Sequence, residues 1–571
     1  MKYCRIVLFI LLFVGFLPGK VLADSVTTSV TVGNTAPAIT AGPAESSESS
    51  STSPTNVGSD VTFTATATDS NSENYYLLLC STDAATPTNG GAPNCTATQW
   101  CVSGSTASGA EASCAYTTLV GDAESNAWYA FVCDGNATAA SCSAAGNQGT
   151  GGTGSPFGVN HAPAFSVGAD DGAKDPGGTV TWTSTASDSD TSGAADTVKL
   201  LICKTAGISA GACDGGGGDT WCSSSLGASD PSCEYVIPSV KPDDAYDAYM
   251  YIVDSHNFAS GGVKQGVNEA FTVSNVAPVV SAVTLNAGAA IDLTEGTTTG
   301  VVLGATVTDS NSCYGSEFTT IYGYTYRSGK AYSLCDTAGE ADSNFCYPEV
   351  TCTVTGGTCT DNTDASANYT CTVNIQSYAD PTDAATLYPT ENWLDSIKVV
   401  DDDAATHTLE VTSGVEMNSL TALDVTTSIA FGTLDVGQSN DPLDKTTVVT
   451  PTGNVGLDSE LSGAANMCTD YPTCSGGTIG VSYIKYALAA TTAYASGTAL
   501  SATPTEAELN APKPTTGSPT TKTVWWGIQI PTGTTPGSYT GANTVSAYKG
   551  ETGGRIASRK KVTERRIVAS H

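Results

Sequence analysis

Three short loops of this 571-residue chain place side-chain oxygens two positions apart: Asp69, Asn71 and Glu73 in DSNSE, Asp188 and Asp190 in DSD, and Asp309 and Asn311 in DSN. Further along each time, an apolar stretch ends on an acid: Asp134, Asp254, and the run Asp401, Asp402 and Asp403. Carboxylate and amide oxygens converging from two loops are the donor set that a hard cation needs, since calcium takes about six to eight oxygen ligands. These twelve residues are candidate calcium ligands. The competing reading is that Asp, Asn and Ser only make the turns, through side-chain hydrogen bonds to their own backbone. No loop has the full twelve-residue spacing of an EF-hand.

Other chemistry is thinner. Trp100 and Trp221 each precede a cysteine, so they are candidate ligand contacts for a sugar face; the alternative is packing beside a disulfide. Of Trp525 and Trp526, neighbours in a strand, one should point inward and one outward. The chain has only four His, and His161, His256 and His407 lie in separate blocks without a nucleophile elbow or metal-ligand spacing. With no CxxC pair either, zinc finds no ligand set. A secreted hydrolase built on paired carboxylates is the remaining enzymatic reading, and no catalytic residue is assigned.

Strands must position these loops. VTFTATATDSNSENYYLLLC (61–80) parallels VTWTSTASDSDTSGAADTVKLLIC (180–203) and, more loosely, VVLGATVTDSNSCYGSEFTTIYGYTY (301–326). Each is an alternating strand, a polar loop and a second apolar strand. AWYAFVCDGN (127–136), DAYMYIVDSH (247–256) and LDSIKVVDDD (394–403) follow as strands that end on the closing acids. Alternation with β-branched and aromatic residues between Gly, Asn, Asp and Ser turns signals half-buried strands of a sandwich. The boundaries repeat too: Asn-x-Ala-Pro begins at Asn34, Asn160 and Asn275.

The cysteines sort by repeat. Cys4 lies in the leader described below. Cys80, Cys95, Cys101, Cys114, Cys133 and Cys142 fall in the first repeat, and Cys203, Cys213, Cys222 and Cys233 in the second. Cys313, Cys335, Cys346, Cys352, Cys359 and Cys371 fall in the third, and Cys468 and Cys474 in the last region. Every block is even, which fits bridges internal to each domain. Cys133 and Cys142 have no counterparts in the second repeat, so they are expected to pair with each other. The four positions shared by the first two repeats leave three connectivities open.

Lys2 and Arg5, the apolar run IVLFILLFVGFL and the small-residue site before Asp24 read as a signal peptide, so no membrane span is expected after cleavage. The chain has 22 Lys and Arg against 56 Asp and Glu, a net charge of −34, which repels nucleic acid and anionic membranes. The basic residues gather in the tail RIASRKKVTERRIVASH, read as disordered.

NHAPAF, VTWTSTASDSD and the closing VD strand resemble the cadherin-like and polycystic-kidney-disease-like immunoglobulin-fold repeats of prokaryotic surface proteins. The resemblance spans roughly 34–418 and implies seven-stranded Greek-key β-sandwiches in tandem. GIQIPTGTTPGSYTG is similar to the β-sandwich modules that end many such proteins. The resulting expectation is an all-β, disulfide-stapled rod: signal peptide 1–23, an N-terminal strand 24–33, immunoglobulin-like sandwiches at 34–159, 160–274 and 275–418, a distinct C-terminal sandwich at 419–548, and the tail 549–571. The expected role is non-catalytic, adhesive display at the cell surface, toward a surface polymer, glycan or protein. A calcium-dependent or carbohydrate-binding adhesin is the alternative.

One stretch is out of order. SVTVGN (29–34) matches FGVN (157–160) and FTVSN (271–275), which close a domain before the next begins. Either it pairs along the edge of its own first sandwich, or it is a donor strand for a neighbouring molecule, a route to self-assembly.

Overall fold

The computed structural model describes residues 27–550, apart from 192–195, 336–340, 358, 385 and 412, and the backbone of Glu564–Ser570. The signal peptide reading lies outside the described residues. Among them, regular structure is β-strand with six short 3₁₀ turns, and no helix is long and apolar enough to cross a membrane.

In the first sandwich one sheet runs Ala38–Glu45, Asp60–Thr68, Glu111–Thr117, and the facing sheet Tyr129–Asp134, Tyr75–Cys80, Gln99–Val102. The period of two sends Val61, Phe63, Ala65 and Ala67 inward, onto Tyr75, Leu77, Leu79 and Trp128. Leu78 and Phe131, on the outer face of the second sheet, are buried too. Chain closed by Cys80–Cys95 and Cys133–Cys142 covers them in a satellite core. The second sandwich repeats the device with Leu201, Tyr251 and Cys203–Cys213, and the third with Tyr324, Tyr326 and Cys335–Cys346. The bridges therefore hold loops over apolar faces that would otherwise meet water.

The other pairs are Cys101–Cys114, Cys222–Cys233, Cys313–Cys359, Cys352–Cys371 and Cys468–Cys474, so every bridge closes within its own domain. Of the three connectivities open for the positions shared by the first two repeats, both adopt the sequential one. The Cys133–Cys142 bridge encloses a separation of 9 residues. Replacing both cysteines by serine is expected to cost about 2–3 kcal/mol by the chain-entropy relation, read from urea unfolding; a loss under about 0.5 kcal/mol would show that the loop is held by its hydrogen bonds.

Each of the first three sandwiches is closed by a segment running parallel to one near its start. Val159 of Phe157–Asn160 pairs parallel with Thr55, while Phe157 pairs antiparallel with Asn126. Val273 of Phe271–Val273 bridges Lys174 in parallel, and Met417 bridges Ile291 in parallel. The third sandwich comprises the sheets Val279–Leu285, Thr298–Thr308, Ser366–Gln376, Thr353–Gly357 and Cys346–Thr351, Phe318–Arg327, Trp393–Asp401, Thr406–Glu410.

The fourth sandwich packs a five-stranded sheet, with Lys445–Pro451 and Lys522–Ile528 near its centre, on a larger one with Leu457–Gly463 and Thr540–Lys549. Trp526 is fully buried and Trp525 half-buried, as alternation requires. Where the composition suggests a disordered tail, Glu564–Ser570 forms a strand, parallel to Ser428–Ala430 and antiparallel to Thr540–Lys549.

Residues 27–33 correct the expectation of an added edge strand. They pair with nothing in their own sandwich; pairing begins at Ala38, and Val30 and Val32 are 88% and 78% exposed.

Candidate metal centres at the sandwich junctions

The Asn-x-Ala-Pro segment is held in the same way at the head of each of the first three sandwiches. Asn34 Nδ2 donates to Asp134 Oδ2 at 2.7 Å, Asn160 Nδ2 to Asp254 Oδ2 at 2.8 Å, and Asn275 Nδ2 to Asp401 Oδ2 at 3.2 Å. Backbone N–H groups just after each asparagine donate into the loop: Thr35 to Asn71 Oδ1, His161 to Asp190 Oδ2 and Val276 to Asn311 Oδ1. The first acid of the loop turns one oxygen onto its own backbone, with Asp69 accepting from Asn71, Asp188 from Asp190 and Asp309 from Asn311. That much is the turn-making reading, and it is correct for one oxygen of each acid.

The other oxygens are left over. Asn34, Asn160 and Asn275 each bury an Oδ1 with no hydrogen-bond partner, and Asp69, Asp188 and Asp309 each bury an Oδ2 likewise. Glu73 Oε2 and Glu317 Oε1 are in the same state. A buried acceptor without a donor costs about 1–3 kcal/mol, more if charged, and the same two acceptors, an asparagine Oδ1 and an aspartate Oδ2, recur in all three repeats. Carboxylate oxygens gather within 4.8 Å of one another in three groups: Asp69, Glu73 and Asp134; Asp188, Asp196 and Asp254; Asp243, Glu317 and Asp402. Two ligands of one calcium, each at about 2.4 Å, are separated by no more than that.

Charge points the same way. Burial pushes Asp188 up to about 6, helped by repulsion from Asp190, Asp254 and Asp196. Burial pushes Asp309 to about 6 and Glu317 to about 8, with the acids around them adding to the shift. Asp254 and Asp243 are raised as well, chiefly by burial. Among the described residues no lysine or arginine forms an ion pair with any of the three groups; the second has only His256, 3.2 Å from Asp196. An all-oxygen, anionic donor set lacking its own cation fits calcium rather than zinc.

The expected ligands separate into two kinds. Asp69, Glu73, Asp134, Asp188, Asp254 and Asp402 converge. Asn71, Asp190 and Asn311 instead clamp the linker backbone. Asp401 receives Asn275 and the Ala405 N–H, Asp309 lies outside the three groups with one oxygen on its own loop, and Asp403 stands beside Asp243 of the third group without joining it. Asp196, Glu317 and Asp243 were missed. The first two end the polar loop just before the second apolar strand, where Glu73 stands in the first repeat; Asp243 comes from the preceding sandwich.

Trp100 and Trp221, the candidate sugar contacts, are half-buried at the margins of their cores. Trp100 packs edge-on against Tyr116 and Phe157 and donates Nε1–H to Ala127 O. Trp221 packs on Tyr235 and Phe271, donates to Asp247 O, and carries Lys204 over its ring at 4.7 Å. Both rings belong to core margins.

The junction of the third and fourth sandwiches, called the fourth junction below after its place at the head of the fourth sandwich, is unmarked by Ala-Pro and uses a similar clamp with different charges. Asn454 Oδ1 accepts from Leu420 N–H at 2.6 Å, and its Nδ2 donates to Asn418 O. Here the cations are protein. Lys513 of the fourth sandwich contacts Asn344 Oδ1, Tyr378 O and Asp380 Oδ1 of the third. Lys549 donates to Ser419 Oγ, which bonds Asp383.

No family model and no curated protein matches this chain. Among solved structures, it is similar to the protocadherin gamma B2 extracellular cadherin domains 1–5, at 10% identity and a TM-score of 0.22, over 91% of this chain and 77% of that one.

Proposed function

We propose that this chain is a non-catalytic, extracellular display and adhesion protein whose first three sandwiches are set in place by bound calcium. The observation that carries the reading is the threefold orphan pair, an asparagine Oδ1 and an aspartate Oδ2 buried beside converging carboxylates, set against a fourth junction where lysines stand in. Nine disulfides suit an oxidising compartment outside the cytosol. Calcium would fix the angle at which successive sandwiches meet, and so the reach and spacing of a surface contact made with a polymer, glycan or protein.

Calorimetric titration of the chelator-stripped chain with calcium tests this. Binding at three sites, reduced by one site each in Asp69→Ala, Asp188→Ala and Glu317→Ala, is the expected result. No binding heat, with a melting temperature indifferent to chelator, would remove calcium from the account.

A further inference from the structure

We propose that residues 27–33 of one copy complete the C-terminal sandwich of a second copy, in the place held here by Glu564–Ser570, so that molecules join head to tail. The first support is local. The segment repeats the pattern of strands whose apolar residues are sealed in the preceding sandwich: Phe157 and Val159 are 0% and 2% exposed, Phe271 and Val273 0% and 1%. Val30 and Val32 stand before Asn34 at the spacing of Phe271 and Val273 before Asn275, one residue further out than Phe157 and Val159 before Asn160, and face solvent, while Asn34 behind them is fixed by Asp134 and Ala139 O, as Asn160 is fixed behind its buried strand. The anchor is in place and the strand ahead of it has no sheet.

The second support is topological. Closing segments in the first three sandwiches run parallel to a segment near the domain start, and each of those sandwiches supplies its own. In the fourth sandwich the equivalent slot, parallel to Ser428–Ala430 and antiparallel to Thr540–Lys549, is filled from the basic tail. The register there sets Arg565 opposite Val545, a fully buried core residue, and Arg566 opposite Thr544. A Ser-Val-Thr-Val-Gly strand alternates apolar and small polar residues and suits both sides of such a slot. A contact between unlike ends of one chain is heterologous and does not close on itself, so its product is a filament.

Hydrogen exchange of residues 27–33 in the full chain, followed with concentration, is the test, alongside a chain ending at Lys549 and the full-length variant Arg566→Pro, which removes a ladder donor from the tail strand. The expected result is protection of 27–33 that rises with concentration, at least tenfold greater in the two tail variants than in the parent, and lost in Val30→Asp/Val32→Asp. Protection independent of concentration would mean pairing within the molecule. Absence of protection in all three proteins, or protection untouched by the Val30 and Val32 changes, would equally overturn the proposal.

Discussion

Lys513→Ala is expected to destabilise the third and fourth sandwiches together by about 3 kcal/mol, the scale on which a buried charge loses its partner. Burial lowers the Lys513 pKa while Asp380 opposes that shift. The ammonium holds an amide oxygen at 2.8 Å, a carbonyl at 2.7 Å and a carboxylate at 3.2 Å, all on the neighbouring sandwich. Asp380 would keep Arg327, whose Nε lies 3.2 Å away and whose Nη1 pairs with Glu391, beneath the Tyr388 ring. Lys513→Met keeps the packing stem and separates the loss of charge from the loss of contact. In urea unfolding, the variant should split one transition into two, and chelator should not alter the difference. A change under about 0.5 kcal/mol would mean that the junction of the third and fourth sandwiches stands without Lys513, on the Asn454 clamp and the Lys549–Ser419 bond.

Asp395→Asn is expected to stabilise the chain at pH 8 by about 2 kcal/mol and to flatten its pH profile. Asp395 is fully buried between Trp393 and Ile397 on the inward face of its strand, with Thr325 opposite, and neither carboxylate oxygen has a hydrogen-bond partner. Burial pushes its pKa from 3.8 to about 7. The folded state therefore holds the proton more tightly than the unfolded chain. Below pH 3.8 this group imposes no penalty; as pH rises toward 7 the unfolded chain has released the proton and the folded one has not, so stability falls. The full shift corresponds to an upper bound of about 4 kcal/mol. Asparagine stays neutral, so the parent-minus-variant difference, measured in excess calcium between pH 4 and 8, should grow with pH. A constant difference would show that the carboxyl titrates normally.

The sandwiches were readable because strands advertise themselves by a period of two, and Asp60–Thr68 and Thr179–Ser187 bury alternate residues as their sequences alternate. The clamp at each junction was half readable. Asn71, Asp190 and Asn311 had the right type and spacing for ligands, but their oxygens were spent on linker N–H groups, which spacing alone cannot distinguish from an ion. Asp243 was hidden because it arrives from the previous domain. Asp196 was hidden by the longer loop TSGAAD, which displaces it from the position of Glu73. The fourth junction escaped because Asn418 is followed by Ser-Leu-Thr instead of x-Ala-Pro, although its hydrogen bonds repeat the others. Trp100 and Trp221 show the opposite case: a residue type suited to sugar stacking was placed by its aromatic neighbours at the core margin.

The bridges have a mechanical consequence. Because each closes a stretch inside one sandwich, from separations of 15, 13 and 9 residues in the first to 46 for Cys313–Cys359 in the third, a pulled molecule could not pay out those loops even after the sandwich gave way. At about 3.5 Å per extended residue, the Cys80–Cys95 loop alone withholds about 50 Å of slack. No bridge spans a junction, so between sandwiches only the asparagine clamps and, at the last junction, the Lys513 and Lys549 contacts resist tension, and these non-covalent contacts would yield before the bridged loops.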